Sequence, residues 1–208
     1  MTRVPLVPPR LWRNRAVITG NAATLLAGAC FQVAVWYFLT FLMQQGMGYP
    51  AAATGLGFLP LTGVMLVVST WVAPRLLDRY PIRVLVATGS VIAALGFLAQ
   101  WLIPVANYPV TVLLPSIIIG LGGGLLNTPL ATAVTQGIDN RDAGAASGLM
   151  NTAKQFGGAI GLAMLATFTP ISEYQSPFAI MAVLIVAAGL AGLLIPRVTV
   201  ESVSRSGE

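Results

Sequence analysis

Residues 147–168, SGLMNTAKQFGGAIGLAMLATF, pose the question that decides the fold. From Gly157 onward the stretch is apolar enough to lie in a bilayer. Before that it carries Asn151, Thr152, Lys154 and Gln155 among scattered glycines. Both halves make sense if this is a membrane helix whose polar face turns toward a bundle interior or a watery cavity, since polar groups at membrane depth face inward. Ser147, Asn151, Lys154 and Gly158 recur at i, i+4, i+7 and i+11, so they share one helical face.

Composition agrees that lipid is the solvent. The chain is 56% hydrophobic and 8% charged over 208 residues, with a mean hydropathy of +0.83. A soluble domain would carry about a quarter of its residues charged. The net charge of +5 does not point to nucleic acid, because the basic residues punctuate the gaps between apolar runs and form no patch. Cys30 is the only cysteine, which excludes an intrachain disulfide, and the chain has no histidine. The commonest general base and metal ligand is therefore absent, and neither a metal site nor a cofactor is expected.

Six apolar runs are legible, at about 21–43, 53–72, 84–103, 110–134, 147–168 and 178–195. Each approaches the roughly 20 residues a spanning helix needs. Helix is the only sensible conformation, because an open sheet edge in lipid leaves backbone groups unpaired. The expected fold is an all-α polytopic membrane protein, one bundle of six transmembrane helices over 16–195. A lead-in, 1–15, precedes it and a tail, 196–208, follows.

The charges orient this bundle. Arg3, Arg10, Arg13 and Arg15 precede the first run; Arg75, Asp78, Arg79 and Arg83 fill the second–third connection. Asp139, Arg141 and Asp142 separate the fourth and fifth runs, and Arg197 and Arg205 follow the sixth. The other connections hold no basic residue. Arginine in short loops marks the cytoplasmic side, so both termini are expected in the cytoplasm. The basic, proline-rich opening does not resemble a cleavable signal peptide.

Two patterns suggest enzymes, and neither holds. GLGGGL at 120–125 fails the dinucleotide spacing because Leu125 stands where the third glycine belongs. GAASG at 144–148 offers a serine with no histidine to activate it. Gly120/Gly124, Gly144/Gly148 and Gly157/Gly161 read better as small-x-x-x-small pairs that let membrane helices approach closely. No enzymatic activity is expected.

Three stretches carry a family resemblance. APRLLDRYPIRVLVATG (73–89) resembles a signature loop of major facilitator superfamily transporters, although Pro74 and Pro81 replace two usual glycines. TGLGFLPLTG (54–63) resembles the proline-containing second helix of the family's C-terminal half. The most specific is IGLGGGLLNTPLATAVTQGIDNRDAGAASGLMNTAKQFGGAIGLA (119–163). Over about 5–195 the chain is similar to the C-terminal six-helix half of fourteen-span drug:proton antiporters, bacterial multidrug exporters.

The resemblance implies the cavity-lining half of an alternating-access efflux transporter in the inner membrane, carrying small amphipathic substrates. It also implies a partner: a missing N-terminal bundle of six to eight helices, or a second copy. By this reading the chain is truncated and inactive alone. The alternatives are a free-standing six-helix protein with a structural or partner-binding role, or a half-transporter acting as a homodimer. Cavity candidates are Asn21 and Gln32 in the first helix, Asn127 in the fourth, and Asn151, Lys154 and Gln155 in the fifth. Asp78, Arg79 and Arg83 are read either as a conformational latch or as topology signals with a solvated counter-ion. Every acidic residue (Asp78, Asp139, Asp142, Glu173, Glu201, Glu208) lies in a loop or tail, so proton coupling would need carboxylates from elsewhere. Lys154 sits ~7–8 Å inside the membrane by helical rise. It either snorkels to the headgroups or lines the cytoplasmic end of the cavity.

Overall fold

The structure, a computed structural model, describes residues 8, 11–136, 138–139, 141–169 and 174–196. Arg3, Arg10, Glu173, Arg197, Glu201, Arg205 and Glu208, with most of the lead-in and nearly all of the tail, lie outside the described residues. Six long helices follow in order: α1 Arg15–Gly46, α2 Ala51–Leu77, α3 Ile82–Leu102, α4 Pro109–Thr135, α5 Ala143–Phe168 and α6 Ser176–Leu193. Five are long and apolar enough to cross a membrane; α5 is the exception. At 26 residues it is long enough, but its amides, lysine and glycines lower its hydropathy.

The helices follow the six apolar runs and overrun them for local reasons. Asn14 caps α1 by accepting from the Ala16 N–H at 2.9 Å, which starts the helix at Arg15. The second helix continues through Leu77, so Arg75 lies in its last turn and Arg83 in the first turn of α3. The connection that the sequence suggested to be long is only 78–81. Pro74 does not stop α2 because the preceding turn, Val68–Val72, is a wider π turn. The Ser69 carbonyl, five residues before a proline with no N–H, instead accepts from Thr128 Oγ1 of α4 at 2.9 Å.

The same accounting explains a buried amide. Pro115 has no N–H to offer the Thr111 carbonyl four residues earlier. Gln100, on α3 and 0% exposed, donates its Nε2 to that carbonyl at 2.8 Å. Meanwhile α1 is interrupted at Gln32–Val33, where Val33 leaves helical geometry with φ −135. The Phe31 carbonyl beside the break accepts from Trp36 Nε1 at 3.0 Å, so the irregular backbone is not left unpaired.

Packing follows a pattern that repeats under a shift of three helices. The α2–α4 contact has its counterpart in α5–α1, and α3–α4 in α6–α1, while α1–α4 and α3–α6 map onto themselves. This is the neighbour set of a nested three-plus-three repeat. The core of the bundle holds Phe31, Phe97 and Phe178, from α1, α3 and α6, with ring centroids 5.6 and 6.4 Å apart in sequence. Leu66, Trp71, Leu95, Val183 and Leu190 are exposed on the outside, as a lipid solvent allows.

Glycines set how close the helices come. A Cβ on Gly157 would stand 2.1 Å from the Leu25 carbonyl oxygen, and one on Gly161 2.6 Å from the Ala29 Cα. On the facing helix, a Cβ on Gly28 would stand 2.7 Å from the Lys154 carbonyl oxygen. Gly120 and Gly124 play the same part between α4 and α2, where a Cβ would meet the Leu61 carbonyl at 2.8 Å and Val68 Cβ at 2.6 Å. Gly144 and Gly148 differ from their expected packing role. They lie on the exposed side of the first turns of α5, and a Cβ there would meet nothing within 4 Å.

Candidate functional site

The crossing of α1 and α5 decides which polar groups meet. Residues 25, 28, 29 and 32 of α1 face 154, 157, 158 and 161 of α5, each set spaced i, i+3, i+4, i+7. That register puts Lys154 beside the α1 backbone with its stem leading toward α4. Lys154 Nζ donates to Asn127 Oδ1 at 2.8 Å. A few ångströms along the same crossing, Gln32 Nε2 donates to Gln155 Oε1 at 3.4 Å. The lysine head therefore turns onto a neighbouring helix in this structure, and two amide–partner contacts tie α5 to both α1 and α4.

A half-open pocket of about 60 Å³ lies against this cluster. Thr24, Gln32, Asn127 and Lys154 supply its polar lining, and Phe31, Leu126 and Leu130 its apolar walls. Phe31 itself rests on Gly123 of α4, where a Cβ would stand 2.7 Å from the ring. A pocket of this kind, apolar with a few convergent polar groups, can hold the polar end of a small amphipathic molecule.

The other candidates are placed elsewhere. Asn21 donates to the Val17 carbonyl at 2.8 Å, and its buried Oδ1 has no hydrogen-bond partner among the described residues. It borders a separate, almost wholly apolar groove of about 350 Å³ between α1 and α5, walled by Trp12, Ile18 and Phe156. Asn151 is exposed and does not line the pocket. Asp78 caps the end of α2, and it and Arg79 are exposed. Arg83 is half-buried in the first turn of α3, and among the described residues no ion pair joins the three. Among the described residues no cluster of three or more metal-ligating side chains occurs.

Gly28, Phe31 and Gly123 escaped the sequence reading although they shape the pocket. The signal for Gly28 was present in the small-residue run AGAC at 27–30, which no polar residue marks out.

Comparison with known proteins follows the same lines. The pattern of the Major Facilitator Superfamily matches residues 2–162. The chain is 53% identical over 174 residues to the cephamycin export protein of Amycolatopsis lactamdurans, covering 83% of this chain and 36% of that protein. It is 36% identical over 166 residues to the puromycin resistance protein of Streptomyces alboniger, covering 78% and 33%. With the lincomycin resistance protein of Streptomyces lincolnensis the identity is 30% over 163 residues, covering 78% and 34%. The chain thus spans about a third of the length of these relatives. Two arguments converge, the repeat-like neighbour set of the helices and a family match over most of the sequence: this multi-pass membrane protein belongs to the Major Facilitator Superfamily.

Proposed function

We propose that this chain forms the cavity-lining half of an efflux transporter of the bacterial inner membrane. It works by alternating access against a second bundle that the chain itself does not contain. The observation that carries this reading is the pocket at the α1–α4–α5 junction, where Gln32, Asn127 and Lys154 converge on an open face. The relatives' names, which speak of export and of antibiotic resistance, support its direction. A half-cavity binds but does not enclose, so a second bundle is needed to close the other side. Among the described residues no carboxylate lies within a long helix, and by this reading proton coupling falls to the second bundle.

A chimera tests the proposal. This chain replaces the matching segment of the Amycolatopsis export protein, and export of that protein's substrate is measured in cells. The expected result is export by the chimera and none by this chain expressed alone. An inserted, abundant chimera that moves nothing would overturn the proposal. Uncoupler-sensitive efflux by the chain alone would replace it with a homodimer.

The orientation belongs to the same proposal, with both termini and the α2–α3 connection in the cytoplasm. In a Cys30→Ala background, Ala106→Cys should react with an impermeant thiol reagent added to intact cells. Tyr80→Cys should react only after the cells are opened. Both positions are in loops, at opposite ends of α3, so the reverse labelling pattern would invert the topology.

A further inference from the structure

We propose that Lys154 and Asn127 form a subsite for the anionic group, a carboxylate or similar oxyanion, of an organic-anion substrate. This rests on the reading of the pocket as part of a substrate path, and goes beyond it by assigning the chemical class.

Lys154 is the only charged side chain among the described residues that lies away from a helix end; Arg15, Arg75 and Arg83 all sit in terminal turns. It stands 11 residues (154 − 143) into α5, ~16 Å along the axis from its start. By the sequence reading it lies about 7–8 Å inside the membrane, where an ammonium needs a counter-charge or strong acceptors. The one acceptor recorded for it is neutral, the Asn127 amide oxygen. Among the described residues the acidic side chains, Asp78, Asp139 and Asp142, all fall outside the long helices. Among the described residues the positive charge therefore meets a single amide dipole, and it borders an open pocket.

The hydrogen bonds polarise the cluster toward donation. Lysine has donors only, so Asn127 must turn its Oδ1 toward Nζ, and its –NH₂ is left to donate elsewhere. The ammonium keeps two further N–H groups. The Lys154 ammonium and the Asn127 –NH₂ give the pocket its excess of donors; Thr24 and Gln32 complete the polar lining, and Ala27, Phe31, Leu126 and Leu130 are apolar. A cation placed here would meet an ammonium with no carboxylate to offset it. An oxyanion would gain charge-assisted hydrogen bonds in a site of low dielectric. About 60 Å³ accommodates such a head group, and an attached apolar body would project through the open side.

A carboxylate could also come from the second bundle, and the test separates the two sources. The full chain in non-ionic detergent micelles is titrated with dansylglycine, an organic anion, and with dansylglycinamide, its neutral counterpart, by fluorescence. The expected result is preference for the anion, falling about tenfold or more in Lys154→Gln and kept in Lys154→Arg. Binding of both probes with a preference that Lys154→Gln does not change would overturn the anion subsite and leave the pocket standing. Failure of both probes to bind would remove the pocket reading as well. In the export-active chimera, Lys154→Gln should depress export of anionic substrates more than of neutral ones. Equal depression of all substrates would assign Lys154 to a carboxylate of the second bundle and overturn the proposal.

Discussion

Gly157→Leu is expected to unseat α5 from α1 and to lower the thermal midpoint of the detergent-solubilised chain more than any conservative change on the bundle's outside. The reason is what the new side chain would meet. A Cβ at this position would stand 2.1 Å from the Leu25 carbonyl oxygen and 3.2 Å from the Ala29 nitrogen. Both are backbone atoms, which cannot rotate away as the end of a flexible side chain can. The helices must separate, and the neighbouring contacts at Gly28, Gly158 and Gly161 open with them, because all four share one crossing. Overpacking typically costs about 1–3 kcal/mol, and a lost crossing belongs at the upper end. Gly148→Leu is the control, since a Cβ there meets nothing within 4 Å of the same helix's exposed side. Separation at the crossing also shifts Lys154, whose carbonyl oxygen packs on Gly28. The chimera carrying Gly157→Leu should therefore lose export as well as stability. If Gly157→Leu and Gly148→Leu melt together with the parent, close glycine packing is not what holds α5 in place.

Phe97→Ala is expected to produce the other large loss. Phe97 is fully buried, and its ring sits between Phe31, at 5.6 Å, and Phe178, at 6.4 Å. Truncation would leave a void where α1, α3 and α6 meet. In a water-soluble core Phe→Ala costs ~3–5 kcal/mol, part of it transfer of the ring from water and part the cavity. Lipid tails are as apolar as a protein interior, so the transfer part largely vanishes in a bilayer and packing remains. A destabilisation of about 2 kcal/mol is the consequence, near the cavity share alone. Phe97→Leu, which keeps most of the volume, should lose less than half as much. The effect should reach the pocket, because Phe31 is one of its walls and is held between Phe97 and Gly123. Equal melting of Phe97→Ala and parent would mean that the void collapses and that these aromatics do not specify the core.

The legibility of the fold and of the site differed for a physical reason. Length and hydropathy mark a membrane helix strongly, since about 20 apolar residues in a row have few other uses. The helix order and the polar first half of α5 therefore follow from the sequence with little help. Helix ends are less visible. Arg75 reads as a loop residue by its charge, yet the π turn at Val68–Val72 and the Thr128 bond to Ser69 carry α2 past Pro74. A hydrogen bond from another helix is not written into the local sequence.

The candidate site shows the same division. That Lys154 lies well inside a long helix, with every acidic residue outside the apolar runs, is a property of the sequence alone. Its partner is not. Asn21, Asn127 and Asn151 look equivalent as amides in apolar helices, yet Asn127 meets Lys154 while Asn21 borders an apolar groove and Asn151 is exposed. In water, burial of an apolar face would have signalled which way each helix turns. In lipid both faces can be apolar, so rotation is set by close contact at Gly28, Gly157 and Gly161, residues with no side chain to announce a direction. The sequence by itself determined that a charged, amide-bearing helix stands among five helices long and apolar enough to cross a membrane. Only the tertiary structure decided which amides it faces, because that choice rests on backbone-to-backbone fit between helices far apart in the chain.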